Sequence, residues 1–187
     1  MSAGRFAGQA RAAVVVLNWP ELSVAEVATA TGDLNFPYIP GFLSFREMPL
    51  AVKAFEKLAI TPDLVIVDGQ GVAHPRRLGI ASHLGLFLDV PTIGCAKSHL
   101  FGHFETPEEI RGSFTSITDG DEIIGAVVRT KDKVKPVFVS IGNQISLENS
   151  VKWTLDASKS YRLPEPTRLA HLAAGGNLNV TSNGSKM

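Results

Sequence analysis

Cysteine, tryptophan and tyrosine are scarce in this chain of 187 residues, which contains one, two and two of them. A single cysteine cannot form an intramolecular disulfide, and the apolar run PTIGCA around Cys95 suits a small core residue in a reducing compartment. No apolar run approaches the roughly 18 to 20 residues that a membrane-spanning helix needs. These absences predict a cytoplasmic protein with no disulfide framework, no signal peptide and no membrane partner.

An excess of charge of either sign is also missing, since 18 basic residues balance 18 acidic ones. Tight, non-specific binding to a long phosphate tract depends on many lysine and arginine contacts, so a net charge of zero argues against it. A local patch of Arg76, Arg77, Lys97 and Arg168 would still bind a short tract. We therefore expect an affinity for nucleic acid that depends only moderately on salt.

Linkers rich in proline, glycine or serine are absent before the C-terminal tail, and a hydrophobic content of 44% is enough for one core. The last stretch, AAGGNLNVTSNGSKM, is small and polar and shows no core-forming pattern. The predicted organisation is one domain over residues 1–172 and a disordered tail over residues 173–187. No amphipathic seam predicts self-association, so we expect a monomer.

Strands and helices alternate in the apolar pattern of the domain. A hairpin joins RAAVVVL to VAEVATA and turns at Trp19-Pro20, and a later apolar run ends at Asp68. Helical spacing occurs over residues 45–59, 77–88 and 146–159, and further strands are predicted over residues 91–95, in EIIGAVVRT and in PVFVSIG. This order is typical of an α/β domain.

Two prolines bracket a tyrosine in FPYIPGFLSFRE, residues 36–47. Pro37 and Pro40 each fix φ and lack an N–H, so they favour a stiff turn that projects Tyr38 and Ile39. Proteins that unstack nucleic acid insert such side chains between bases, which requires a backbone that does not yield. The alternative is an ordinary rigid loop with a buried tyrosine.

A second motif, LVIVDGQGVAHPRRLGIASHLG at residues 64–85, places Asp68 after a continuous apolar run. Such a run is typical of a parallel strand that is buried on both faces, and open α/β sheets bind their ligands at the carboxyl ends of these strands. Two glycines, a histidine and two arginines follow within ten positions, which is more polar chemistry than a helix cap requires. The motif therefore indicates a functional loop.

These two motifs, together with DVPTIGCAKSHL and RLPEPTRLAH, closely resemble endonuclease V, the deoxyinosine-directed 3′ endonuclease family. The resemblance runs from about Arg11 to His171 and rests on several long motifs. It implies a ribonuclease H-like fold, in which helices flank a mixed sheet. It also implies metal-dependent cleavage of the second phosphodiester 3′ to inosine, in DNA repair, with Mg²⁺ as the cofactor and Mn²⁺ as a substitute.

The resemblance also assigns site residues. Glu47 and Asp68 match the metal-binding carboxylates, Lys97 matches the lysine near the scissile phosphate, and His171 matches a late active-site histidine. The residues that match the nucleic-acid-binding part of the family, its wedge and base pocket included, are Tyr38, Ile39, Pro40, Gly69, Gly71, His74, Arg76, Gly79, Ile80, His83, Gly94 and Leu100. The implied partner is inosine-containing DNA or RNA.

General chemistry agrees with these assignments. Phosphodiester hydrolysis benefits from a hard cation held by oxygen ligands such as Glu47 and Asp68. An ammonium at Lys97 would stabilise the charge that builds on the phosphate, although an exposed surface lysine is the simpler alternative. Glycines let main-chain groups reach the edge of a flipped base, whereas His74 is open to a purely structural interpretation.

The start of the chain departs from the family pattern, in which an aspartate on the first strand binds the metal. Phe6 aligns with the family's phenylalanine, and this places Ala3 where the aspartate belongs. The nearest later acids, Glu21, Glu26 and Asp33, lie in or beyond the next hairpin. We therefore expect an incomplete first strand and either a start codon that lies further upstream, which we favour, or a truncated protein. The 187-residue form is predicted to be weakly folded or inactive.

Asn143 is a second departure, because it stands where relatives have histidine, and it is expected to alter contacts near the phosphate. Three functions stay open at this point. The chain is an inosine-directed nuclease, a non-catalytic binder of deaminated nucleic acid that lacks a metal ligand, or a generic ribonuclease H-like nuclease. A generic nuclease would cut undamaged strands equally well, whereas a base pocket predicts dependence on inosine.

Overall fold

The computed structural model describes residues 2–6, 9–33 and 43–178. The predicted wedge residues Tyr38, Ile39 and Pro40 lie outside the described residues. The strands are β1 (Ser2–Phe6), β2 (Gln9–Asn18), β3 (Ser23–Gly32), β4 (Val65–Val67), β5 (Thr92–Ala96), β6 (His103–Phe104), β7 (Phe114–Asp119), β8 (Glu122–Val128) and β9 (Val137–Asn143). The helices are α1 (Leu43–Phe55), α2 (Ile80–Leu88), α3 (Leu147–Asp156) and α4 (Glu165–Ala174).

The described strands form two sheets. An antiparallel sheet has the order β1-β2-β3, and a six-stranded mixed sheet has the order β4-β5-β9-β8-β7-β6. Only β4 and β5 are parallel neighbours in the mixed sheet, with Val65 opposite Thr92 and Val67 opposite Gly94. All three residues of β4 are buried, which confirms the prediction of a parallel strand covered on both faces.

Helices cover both faces of the strands because side chains alternate along each strand. On one face, Val14 of β2 and Val67 of β4 contribute to a core with α1 and α2. On the other, α4 packs against Ala13 and Val15 of β2, while α3 packs near Ile66 of β4. Helices α1 and α2 therefore lie on the opposite side of the strands from helices α3 and α4.

The predicted elements are present with shifted ends. The hairpin of β2 and β3 turns at Trp19-Pro20, whose peptide bond is cis. The helix predicted over residues 45–59 runs from Leu43 to Phe55, and the helix predicted from residue 77 begins at Ile80. Sequence patterns missed β6, β7 and α4, since the first two are short or half-exposed strands and the last begins with a proline-rich segment.

Two predictions concern the ends of the domain. Strand β1 has 5 described residues and pairs with β2, which has 10, and the incompleteness of the first strand stays a prediction. Helix α4 continues two residues past the predicted boundary at 172, and Ala173 and Ala174 are buried against β2, so these two residues are wrongly placed in the tail. The division into one domain and a disordered tail otherwise stays a prediction, since residues 179–187 are not described.

Over the described residues, each helix is too short or too polar to cross a membrane.

Candidate active site

The carboxyl ends of β4 and β5 bring two of the predicted site residues into contact. Asp68 follows β4 directly and Lys97 follows β5 directly, and the two strands are parallel neighbours. Lys97 Nζ donates a hydrogen bond to Asp68 Oδ2 at 2.6 Å. The Asp68 side chain is 15% exposed and that of Lys97 is 36% exposed, so the ion pair is partly shielded but still open to solvent.

The glycine-rich loop after Asp68 lies against the backbone of neighbouring elements. A Cβ atom at Gly94 of β5 would stand 2.3 Å from the nitrogen of Gly71, and one at Gly71 would stand 1.9 Å from the oxygen of Ile141. A Cβ atom at Gly79, before α2, would stand 2.2 Å from the oxygen of Gln70. These glycines let the loop pass tightly between β5, β9 and the start of α2.

Hydrogen bonds hold this loop in place. Gly71 N donates to Ser140 Oγ at 2.8 Å, and Gly79 N donates to Gly71 O at 3.0 Å. Gly69 packs on the side chain of Ile80, which is itself buried in the core with α1 and α2. The predicted base-contacting residues Gly69, Gly71, Gly79, Ile80 and Gly94 are therefore brought together, mainly by contacts with one another.

The remaining predicted contact residues differ in exposure. His74 is 5% exposed, and its Nδ1 accepts a hydrogen bond from the backbone N–H of Arg76 at 3.2 Å. This contact supports a structural contribution from His74 to the loop. His83 is half-buried on α2, whereas the side chains of Arg76 and Leu100 are exposed.

The predicted basic patch is largely neutralised by carboxylates. Arg77 Nη2 lies 2.6 Å from Glu122 and 2.7 Å from Asp119, in the hairpin of β7 and β8. These hydrogen bonds raise the pKa of Arg77, and the same contact lowers the pKa of Glu122. Arg168 pairs with Glu165, which raises the pKa of Arg168. With Lys97 also paired, Arg77, Lys97 and Arg168 of the predicted patch each have an acidic partner.

Glu47 and His171 lie on two different helices that pack on the β2 strand from opposite sides. Glu47 is half-buried on α1, and His171 is exposed on α4. Among the described residues, no three His, Cys, Asp or Glu side chains cluster as a metal site. Mg²⁺ commonly takes one or two protein carboxylates and completes its shell with waters and substrate phosphates, so Asp68 and Glu47 fit this ion in ligand type and number.

Asn143 occupies a different place from the one predicted. It is paired with Thr92 at the beginning of β5, whereas Lys97 follows the end of that strand. Its side-chain amide donates to the carbonyl oxygens of Gly85 at 3.0 Å and Val90 at 3.3 Å. Asn143 therefore closes the C-terminal end of α2 onto the sheet, and the prediction of contacts near the phosphate is wrong.

Two residues near the ion pair were missed from the sequence. Arg162 Nη2 donates to the carbonyl oxygens of Lys97 at 2.6 Å and Pro136 at 2.7 Å. Gln70 Nε2 donates to the carbonyl oxygen of Ser98 at 3.0 Å. The position of Gln70 between two loop glycines was a usable signal, whereas nothing in the sequence around Arg162 indicates this contact.

Cys95 lies inside β5, two residues before Lys97, but its thiol is not part of the candidate site. It is fully buried, and burial raises the pKa of its thiol to about 12. A thiol with so high a pKa is neither a nucleophile nor a metal ligand at neutral pH. This agrees with the predicted core position.

The chain is similar to known proteins in both sequence and structure. A family model described as Endonuclease V matches residues 2–172. Endonuclease V of Dictyoglomus thermophilum is 58% identical over 171 residues, which cover 91% of this chain and 75% of that protein. The crystal structure of Endonuclease V from Bacillus subtilis is 37% identical and has a TM-score of 0.86, covering 92% of this chain and 75% of that chain.

A third comparison includes nucleic acid. Endonuclease V of Ciona intestinalis, in complex with a 24mer DNA containing an inosine followed by a ribo-adenosine, is 31% identical with a TM-score of 0.76. It covers 89% of this chain and 77% of that chain. The predicted ribonuclease H-like α/β fold is thereby confirmed. The chain belongs to the endonuclease V family, whose members are named as endonucleases.

Proposed function

We propose that this chain is a metal-dependent endonuclease that recognises inosine in nucleic acid and cleaves the second phosphodiester 3′ to it, as a step of DNA repair. The contact of Lys97 with Asp68 at the ends of two parallel strands carries the proposal, because it places a carboxylate and an ammonium beside a loop of close-packed glycines. The inosine-containing complex of the Ciona relative supports inosine as the recognised base.

Asp68 and Glu47 are the proposed ligands of Mg²⁺, for which Mn²⁺ would substitute. Asp68 is fixed by its position at the end of a buried strand, and Glu47 is half-buried on α1. When bound, such an ion polarises a phosphoryl oxygen and offsets the charge of the leaving oxygen. Asp68 supplies oxygen ligands through a side chain with little conformational freedom, which favours a defined ligand geometry.

Lys97 is the proposed electrostatic partner of the scissile phosphate. Its ammonium stays partly exposed, so a phosphate can approach it without leaving Asp68 as a buried, unpaired charge. The ammonium would donate a hydrogen bond to a phosphate oxygen and stabilise the negative charge of the transition state. His171, exposed on α4, is proposed as a further catalytic residue that donates to the phosphate or the leaving group.

Recognition of inosine requires that the base leave the stack. Tyr38, Ile39 and Pro40 are proposed as the wedge that replaces it. The backbone groups of the close-packed loop would then read the edge of the flipped base, while exposed Arg76 and Leu100 contact the adjacent strand. The other proposed contacts are Gly69, Gly71, His74, Gly79, Ile80, His83 and Gly94.

Cleavage of an end-labelled strand that contains one inosine tests this proposal. With Mg²⁺, one cut at the second phosphodiester 3′ to inosine and little cutting of the matching adenine strand would support the proposal, whereas no cut would support the expectation that the 187-residue form is inactive. Asp68→Asn should lower the cleavage rate by at least about 10²-fold, because losing a group that stabilises charge in the transition state has an effect of this size. Asp63→Asn is the matched control, because exposed Asp63 precedes the same strand at its opposite end. Equal cleavage by the Asp68→Asn and Asp63→Asn variants would refute the assignment.

The second candidate function is a non-catalytic binder of deaminated DNA or RNA. It is favoured by Ala3, which stands where the family pattern has a metal-binding aspartate. A binder would retain inosine-containing strands over adenine strands in a gel-shift assay but would cut neither. Equal cutting of the inosine and adenine strands would instead indicate a generic nuclease. The same assay on a DNA strand and on an RNA strand of the same sequence would show which sugar the protein prefers.

A further inference from the structure

The peptide segment Lys97–Ser98 is held by two side chains from distant parts of the chain. Its first carbonyl accepts a hydrogen bond from Arg162, 65 residues further along, and its second accepts one from Gln70, 28 residues before. The backbone that follows the Cα of Lys97 is thereby fixed at two successive carbonyls, which are tied to separate elements. The side chain of Lys97 points from this fixed segment to Asp68.

Arg162 is an unusual support for a backbone segment. Its guanidinium is half-buried, and burial lowers the pKa of Arg162 below its ordinary value. Among the described residues its partners are carbonyl oxygens, and its buried Nε has no partner. A desolvated cation without a carboxylate is costly for stability, so its position is better explained by what it holds than by the stability of the fold.

Gln70 is likewise a buried polar side chain with one unsatisfied polar atom. It is 8% exposed, and its Nε2 donates to Ser98 while its buried Oε1 has no partner in the described part of the chain. An unsatisfied buried oxygen costs about as much as one hydrogen bond contributes, so Gln70 brings the fold little net stability. It does, however, connect the loop after β4, which contains Asp68, to the loop after β5, which contains Lys97.

We propose that Arg162 and Gln70 are positioning residues that hold the Lys97–Ser98 segment so that the Lys97 ammonium stays beside Asp68. Both side chains donate to backbone carbonyls of this segment, so both would act through Lys97. The inference rests on the proposed function for the role of Lys97 in cleavage. The placement of the segment itself can be measured without any cleavage.

Hydrogen exchange monitored by mass spectrometry measures that placement. In the Arg162→Met variant, the amides of residues 96–101 should exchange about tenfold faster, as the loss of one hydrogen bond of ordinary strength allows. Arg111→Met is the matched control, because Arg111 Nη2 also donates to two carbonyl oxygens, those of Leu155 and Ser158, away from Lys97. Unchanged exchange of residues 96–101 in Arg162→Met would overturn the proposal, whether or not the protein cuts.

A double-mutant cycle then tests whether Arg162 acts through Lys97. Single-turnover cleavage should be about 10–100-fold slower in Arg162→Met, the usual range for residues that orient a functional group, with inosine-strand affinity within about twofold of wild type. In a Lys97→Met background the same change should slow cleavage by no more than about twofold. Rate losses that multiply would show that Arg162 acts independently, and would overturn the inference. If Lys97→Met cuts too slowly to measure, the exchange result decides.

Gln70→Met supplies a second, independent variant. Because it removes an unsatisfied oxygen together with one hydrogen bond, its unfolding midpoint should stay close to that of wild type. Its cleavage rate should nevertheless fall by about tenfold or more. If Gln70→Met loses stability but keeps the wild-type cleavage rate per folded molecule, Gln70 stabilises the fold and does not position Lys97. Wild-type protein that fails to cut inosine strands, with exchange as predicted, would refute only the proposed function.

Discussion

Gly94 offers a direct test of why glycines surround the ion pair. A Cβ atom at this position in β5 would stand 2.3 Å from the nitrogen of Gly71 and 2.8 Å from the oxygen of Gly69. Both are backbone atoms, which cannot rotate away as the end of a side chain does. Gly94→Ala must therefore push the loop that follows Asp68 away from the sheet.

The cost can be worked from that geometry. Overpacking a close-packed interior costs typically 1–3 kcal/mol, and three backbone contacts under 3 Å place Gly94→Ala near about 3 kcal/mol. The lower entropy of the unfolded alanine chain returns about 0.4–1 kcal/mol. We expect a net loss of about 2 kcal/mol in the free energy of unfolding, which corresponds to roughly 4–8 °C in Tm for a domain of this size.

Gly32→Ala is the matched control. Among the described residues its Cβ atom would meet Leu50 Cδ2, at 3.1 Å, and the end of a leucine side chain can move. Gly32→Ala should therefore be neutral or slightly stabilising. Both variants are compared by urea unfolding followed by tryptophan fluorescence, without metal and without nucleic acid.

The two outcomes separate packing from recognition. A lower midpoint for Gly94→Ala alone would show that the protein's own loop needs the space at residue 94. An unchanged midpoint in the absence of nucleic acid would refute this reasoning. If such a stable Gly94→Ala variant also lost its preference for inosine, the space would be required by the base and not by the loop.

Two further predictions follow from the polar contacts. Because the hydrogen bond from Arg77 lowers the pKa of Glu122, their ion pair stabilises the fold above the ordinary carboxyl value of 4.5 and loses this effect as pH falls through the lowered value. Arg77→Met should thus be less stable than wild type at neutral pH, with the difference fading in acid; a constant difference in chemical unfolding across pH would contradict this. Asn143→Ala should lower the free energy of unfolding by about 1–3 kcal/mol and leave cleavage per folded molecule unchanged, and a selective loss of cleavage would argue against its structural role.

Periodicity predicted most elements because the local pattern reports burial directly. The run LVIV before Asp68 is apolar at every position, so a strand covered on both faces was the simplest interpretation. Strands β6 and β7 gave no such signal, since both residues of β6 are exposed, only one of the six residues of β7 is buried, and apolar residues do not alternate along either strand. Helix α4 was missed because its first turn contains prolines, which suit a helix start but are common in loops as well.

Part of the candidate site could also be predicted from local apolar patterns. Asp68 and Lys97 each follow an apolar strand, so their placement at one edge of the sheet could be inferred from their order. The binding of a short phosphate tract by the cation patch stays a prediction, but the sequence did not indicate that Arg77 pairs with carboxylates 42 and 45 residues away. No local pattern records which acidic residues fold back onto a given arginine.

The sequence by itself determined the family, the alternation of strands and helices, and the residues available for chemistry, because these depend on residue types and short spacings. Only the tertiary structure decided which of them meet. The pairing of β4 with β5 brings Lys97 to Asp68, and Arg162 and Gln70 reach the same segment from opposite directions in the chain. Such contacts join residues tens of positions apart, so they arise from the packing of whole elements and not from any pattern within one of them.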